Sequence, residues 1–102
     1  FNRKLGFKMK SIMQKEKRCY ICGLYDPVEE HHIFFGNANR KISEQNGFKV
    51  YLCQEHHRGT IGVHGRLGHA LDTRLKQECE KRYINQGHTK EEFIKLIGRN
   101  YL

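Results

Sequence analysis

Apolar residues recur every fourth position through Leu67, Leu71, Leu75, Cys79 and Tyr83, with polar and charged residues between them. This period predicts an amphipathic helix of about 15 to 18 residues ending near Gly87. Cys79 falls on the apolar stripe and reads as a small core residue. A second helix is expected to start at Thr89, whose hydroxyl can cap it while Glu92, three residues on, completes a capping box; Gly98 stands where it should stop. Phe93, Ile94 and Ile97 form the face that would pack on the first helix. Upstream, from Cys19 to Tyr51, the segments CYIC, HHIFF and FKVYL are rich in β-branched and aromatic residues and are separated by Gly and Asn. They read as short strands and loops. The single proline, Pro27, lies in a turn-like LYDPVEE. The expected class is α+β, with strands first and helices last.

Length and composition add a constraint. The chain has 102 residues, of which 37% are hydrophobic and 29% charged, so one domain with a thin core is expected. Such a domain gains from a metal staple. Residues 1–8, FNRKLGFK, are set aside as a non-native or disordered extension, with Met9 the expected native start and 9–102 a single domain. No apolar run reaches the roughly 18 to 20 residues of a membrane span, and no segment resembles a secretory signal, so a cytoplasmic location is expected. In a reducing compartment the four cysteines are expected to be ligands or core thiols rather than disulfides.

Nineteen Lys and Arg against eleven Asp and Glu give a net charge of +8, which suits a polyanionic partner, nucleic acid first among them. The basic residues run along the whole chain rather than clustering in a tail, as a basic surface on a folded body requires.

The candidate chemistry lies in the cysteines and histidines. Cys19 and Cys22 form CxxC, and Cys53 and His56 form CxxH thirty residues later. Each spacing lets a tight turn aim two side chains at one ion, and together they supply the four ligands of a closed structural zinc site. Of the six histidines that remain, His31, His32, His57, His64 and His69 fall within 39 residues. On one continuous helix His57 and His64 would stand about 10.5 Å apart along the axis, too far to share an ion. Gly59 and Gly62 can break the helix between them and fold His64 back. A third ligand is expected from VEEHHI, where neighbours on a strand point to opposite faces. One histidine of that pair then ligates, and the other, with an ordinary pKa near 6.5, is free to take a proton from water. His69, at the start of the amphipathic helix, has a structural reading as good as a functional one.

CYIC, EEHHI, VYLCQEHHRG and the later histidine resemble the HNH nucleases of the ββα-metal fold. More closely, EEHHIFFGNANRKISEQNGFKVYLCQEHH, GVHG, HALD and the IGRNYL ending are similar to small phage proteins of the Ref group, RecA-dependent nucleases that enhance recombination. The resemblance covers Met9 to Leu102. It implies a zinc-braced ββα-metal core, HNH or treble-clef-like, followed by two C-terminal helices. It also implies His32 as general base, His31, His57 and His64 as ligands of a catalytic divalent ion such as Mg²⁺, and Cys19, Cys22, Cys53 and His56 as the zinc brace. The implied activity is metal-dependent hydrolysis of DNA phosphodiesters, with a RecA-type recombinase filament as an implied partner. Arg40, Lys41 and Arg58 are then placed in sequence to hold flanking phosphates. The chain departs from the family at the central Asn: Phe48 occupies that slot, and Asn46, Asn37 or Asn39 are the expected substitutes. The competing reading is a zinc-stabilised DNA-binding or partner-binding module on the same scaffold without catalysis.

Overall fold

The computed structural model describes residues 9–102, and the reading of residues 1–8 as an extension lies outside them. Two antiparallel strands, β1 (Val28–His32) and β2 (Lys49–Cys53), pair with His31 opposite Val50 and His32 opposite Lys49. Helix α1 (Asn37–Asn46) connects them, the short α2 (Gln54–Arg58) follows β2 directly, and α3 (His69–Asn85) and α4 (Lys90–Ile97) complete the chain. The domain is thus α+β, a two-stranded sheet with four helices. Among the described residues no helix is long and apolar enough to cross a membrane.

Helix α1 corrects the reading of this segment as loop. Its sequence, NANRKISEQN, lacks an apolar stripe because its buried contact is polar: Ser43 Oγ donates to the Phe34 carbonyl at 2.7 Å and accepts from the Phe34 N–H at 3.2 Å. Gly47 ends the helix in the left-handed region at φ 75°, where a Cβ would also collide with the Lys10 carbonyl. CYIC is likewise not a strand. It forms a tight turn, with the Gly23 N–H donating to the Cys19 carbonyl at 2.9 Å, and Tyr20 ties that turn to the Tyr51 carbonyl at 2.8 Å. In HHIFF only the two histidines belong to β1; Ile33 and Phe34 leave the strand and enter the core.

The core is largely aromatic. Phe34, Phe48 and Phe93 are buried with ring centroids 5.5 to 6.1 Å apart, and Tyr83 of α3 meets Phe48 edge-on at 5.5 Å. The Phe48 ring sits at the centre of this cluster, so the position where the resemblance expects an Asn is part of the core. Leu75 and Cys79 lie on the buried stripe of α3, as the periodicity implies. Leu67 does not, because α3 starts only at His69; Leu67 sits in the preceding loop, 59% exposed. In α4 the capping box is formed, with Thr89 Oγ1 accepting from the Glu92 N–H at 3.0 Å and the Glu92 carboxylate accepting from the Thr89 N–H at 2.7 Å. Phe93 and Ile97 are buried, and Leu96 rather than Ile94 adds to the packed face.

Candidate functional site

The sheet distributes its side chains to two faces. Alternation along β1 sends Glu29 and His31 to one side and Glu30 and His32 to the other. Adjacent histidines in α2 diverge in the same way, since successive residues of a helix are about 100° apart around its axis. His56 turns to the cysteines and His57 to His31.

Cys19, Cys22, Cys53 and His56 bring their ligand atoms within 4.8 Å of one another. The Cys22 and Cys53 sulfurs are 3.8 Å apart, and His56 Nδ1 lies 3.2 Å from Cys53 Sγ and 3.6 Å from Cys19 Sγ. A tetrahedron with Zn–S bonds of about 2.3 Å requires sulfur pairs about 3.8 Å apart, so the cluster has the dimensions of a zinc site. Burial pushes the Cys19 thiol up, but backbone hydrogen bonds, that of the Cys22 N–H first, outweigh it and bring the thiol down to about 6. This thiol is prepared to ligate as thiolate. Three thiols and an imidazole fit a metal ion such as zinc, which would tie the Cys19–Cys22 turn to the β2–α2 junction. Cys79 stands apart in the core, its thiol pushed up by burial.

His31, His57 and His64 form a second group, with ligand nitrogens within 4.8 Å and ring centroids 4.9 to 5.2 Å apart. The loop after α2 closes this group. The Val63 and His64 N–H groups donate back to the His56 and His57 carbonyls at 3.0 and 2.9 Å, so His64 folds over His57. Gly62 permits the fold because a Cβ there would come within 2.6 Å of the Glu55 carbonyl oxygen. His31 is only 2% exposed, and its Nε2 has no hydrogen-bond partner among the described residues. Burial, with His57 and His64 alongside, pushes its pKa down to about 3, so the ring is neutral and offers a lone pair at working pH. Burial followed by His57 also lowers His64. Glu29 accepts from His57 Nδ1 at 2.7 Å and also pairs with Arg58. A carboxylate can only accept, so the His57 proton sits on Nδ1 and Nε2 is left to ligate. The buried, unpartnered nitrogen and the all-imidazole donor set fit a divalent transition ion, whereas Mg²⁺ prefers oxygen ligands.

On the opposite face His32 Nε2 donates to Glu44 Oε1 at 2.6 Å. Glu44 also accepts from Lys49 Nζ at 3.0 Å, and Lys49 lies 3.6 Å from Glu30. Burial raises the Glu44 carboxyl, but the hydrogen bonds from His32 and Lys49 hold it below the usual range. Glu30, His32 and Glu44 are close enough to suggest a third metal group, but the Lys49 ammonium between the two carboxylates makes it a closed ion-pair network.

None of the three asparagines expected to orient His32 bonds to it; Asn46 instead donates to the Ile42 carbonyl at 2.9 Å. Glu44 holds the imidazole in their place. The signal for it was present: Asn37, Arg40, Lys41 and Glu44 share one face once the segment is helical. Glu29 and Lys49 were equally missed, because their roles exist only across the sheet.

A cleft of about 200 Å³ is lined by Glu30, His31, His32, Phe35, Arg40, His57 and His64. An adjoining one of about 420 Å³ adds Asn37, Lys41 and Glu44. Arg40 therefore stands beside both His32 and the histidine group, and Lys41 beside His32. Arg58 lies outside these clefts, engaged with Glu29, and His69 is exposed and joins no cluster. Compared with protein-family models, curated proteins and solved structures, the chain matches none.

Proposed function

We propose that this chain is a metal-dependent DNA endonuclease of the HNH type, with a zinc-braced ββα-metal core. The observation that carries the reading is the convergence of His31, His57 and His64 from three separated segments, with the buried His31 Nε2 unpartnered, on the cleft that also holds His32 and Arg40. A module that only bound DNA would have no use for an orphaned, desolvated imidazole grouped with two others on a cleft.

His31, His57 and His64 would hold the catalytic ion, and Cys19, Cys22, Cys53 and His56 would hold zinc. The bound divalent ion supplies Lewis acidity toward a phosphate oxygen. Glu29 keeps His57 in the ligating tautomer and raises its basicity. Glu44 accepts a hydrogen bond from the His32 Nε2–H, leaving the Nδ1 lone pair to accept a proton from the attacking water, and the carboxylate's negative charge stabilises the imidazolium that results. Arg40 and Lys41 bind phosphates that flank the scissile one on one side. Glu44 is thus a positioning residue. Glu44→Gln, which keeps the shape and removes the charge, is expected to lower kcat roughly 10- to 100-fold with KM and zinc content unchanged; an unaltered kcat would remove this role.

The reading is tested by nicking of supercoiled plasmid with chain loaded with one equivalent of zinc, adding Mn²⁺, Ni²⁺ and Mg²⁺ in turn. Cutting is expected, stronger with Mn²⁺ or Ni²⁺ than with Mg²⁺ because of the imidazole donors. Parallel reactions on recombinase-coated single strands test the implied partner. Tight DNA binding with no strand breaks under any ion would leave the non-catalytic module as the function.

A further inference from the structure

A third groove, of about 500 Å³, meets the cleft at Glu30 and is lined on its far side by Lys10, Lys15 and Lys17, with Lys49 and Tyr51 at its floor. We propose that it is a second DNA-binding surface, a ledge on which the strand being cut lays the phosphates flanking the scissile one. The inference rests on the nucleic-acid reading of the cleft and extends it to residues with no assigned part in it.

Three observations support the ledge. The first is rigidity: residues 11–14 lack regular secondary structure but are pinned along β2. Ser11 Oγ donates to the Lys49 carbonyl at 2.5 Å, Ile12 N–H to the Gly47 carbonyl at 3.0 Å, and the Tyr51 N–H to Gln14 Oε1 at 2.6 Å. Met13 is buried beneath, and Arg82 of α3 donates to its carbonyl at 2.8 Å. The lysines consequently project from a fixed support rather than a tail. The second is uncompensated charge. Lys10, Lys15 and Lys17 are exposed, and none forms an ion pair among the described residues. The one carboxylate lining the groove, Glu30, has the Lys49 ammonium 3.6 Å away. With that carboxylate offset by Lys49, the three exposed lysines leave the groove net positive, and such a field attracts a polyanion.

The third observation is continuity. Glu30 borders all three concavities, so a single surface runs from Arg40 and Lys41, past His32, to the lysine ledge. The candidate reactive centre lies between two basic lobes. A polyanionic strand crossing it finds cations on both sides, as holding a phosphodiester in register requires. Lys17 Nζ, 5.6 Å from the Tyr51 ring centroid, already lies over an aromatic face and needs little reordering to meet a phosphate.

The experiment measures binding of a fluorescein-labelled DNA duplex and of its single strand by anisotropy between 50 and 300 mM salt, using the full zinc-loaded chain. It compares wild type with Lys10→Gln/Lys15→Gln/Lys17→Gln, and with a control removing the same charge from α3 and α4, Lys81→Gln/Lys90→Gln/Lys95→Gln. The ledge variant is expected to bind roughly 10-fold or more weakly at low salt, with a salt slope shallower by about 2 to 3, while the control loses much less. Equal loss in the two variants, unchanged affinity in the ledge variant, or no DNA binding by wild type would each overturn the ledge. Ledge-dependent binding without cutting removes the nuclease chemistry and keeps the ledge; cutting with an unaltered affinity in the ledge variant does the reverse.

Discussion

Cys19→Ser is expected to cost the chain its zinc and its fold together. The Cys19 thiol is buried, set at about 6 by backbone donors, and one of four ligands with zinc-like spacing, so serine leaves a three-ligand site with a poorer donor. Structural zinc contributes about 10 to 16 kcal/mol of apparent binding free energy in small domains at neutral pH, as large as the whole stability of an ordinary domain, roughly 5 to 15 kcal/mol. The core here is small, and among the described residues the Cys19–Cys22 turn has one backbone bond to the sheet, from the Tyr20 N–H to the Tyr51 carbonyl, besides the packing of Tyr20 and Ile21. Zinc measured by mass spectrometry, with circular dichroism on the same sample, should show one ion per wild-type chain and an unfolded, zinc-free variant. Cys79→Ala is the contrast: it should keep its zinc and lose about 1 to 3 kcal/mol as a small core truncation. A Cys19→Ser protein that melts like wild type with its zinc in place would end the brace.

The second large effect is expected at His32. Its replacement by alanine should lower cleavage about 10²- to 10⁴-fold, the usual worth of a positioned general base, while fold, zinc content and affinity for the catalytic ion stay near wild type. The physical reason for that separation is that His32 lies on the opposite face of β1 from His31, and Lys49 still neutralises Glu44 when the imidazole is gone. His57→Ala should behave differently, losing both cutting and the second equivalent of Mn²⁺ or Ni²⁺ seen by calorimetry. Were His32→Ala to cut at the wild-type rate, the base would have to be sought elsewhere in the cleft.

Local order made much of the architecture legible. The period of Leu71, Leu75, Cys79 and Tyr83 and the Thr89–Glu92 box depend on neighbours within a turn, so α3 and α4 stand close to where the pattern puts them. The paired spacings of Cys19 with Cys22 and of Cys53 with His56 are also local, and two glycines in RGTIGV made it feasible for His64 to fold back on His57, as it does. Leu67 misled for the complementary reason: a residue in phase with a helix is not in it when the chain reaches the helical path two residues later.

By itself, then, the sequence determined the class, the last two helices, the Cys19/Cys22, Cys53/His56 and His57/His64 pairs and the sign of the net charge, because each is written in spacings of a few residues or in composition; that His31 rather than His32 joins the second histidine group is settled by the fold. Only the tertiary structure decided what surrounds them. Helix α1 is held by Ser43 against Phe34 rather than by an apolar stripe, and Phe48 serves the core instead of the site. Glu44 reaches His32 from twelve residues away, and Glu29 reaches His57 from twenty-eight. Those partners are fixed by strand register and by the packing of α1 on the sheet, and a hydrogen bond between residues far apart in the chain has no periodicity to betray it.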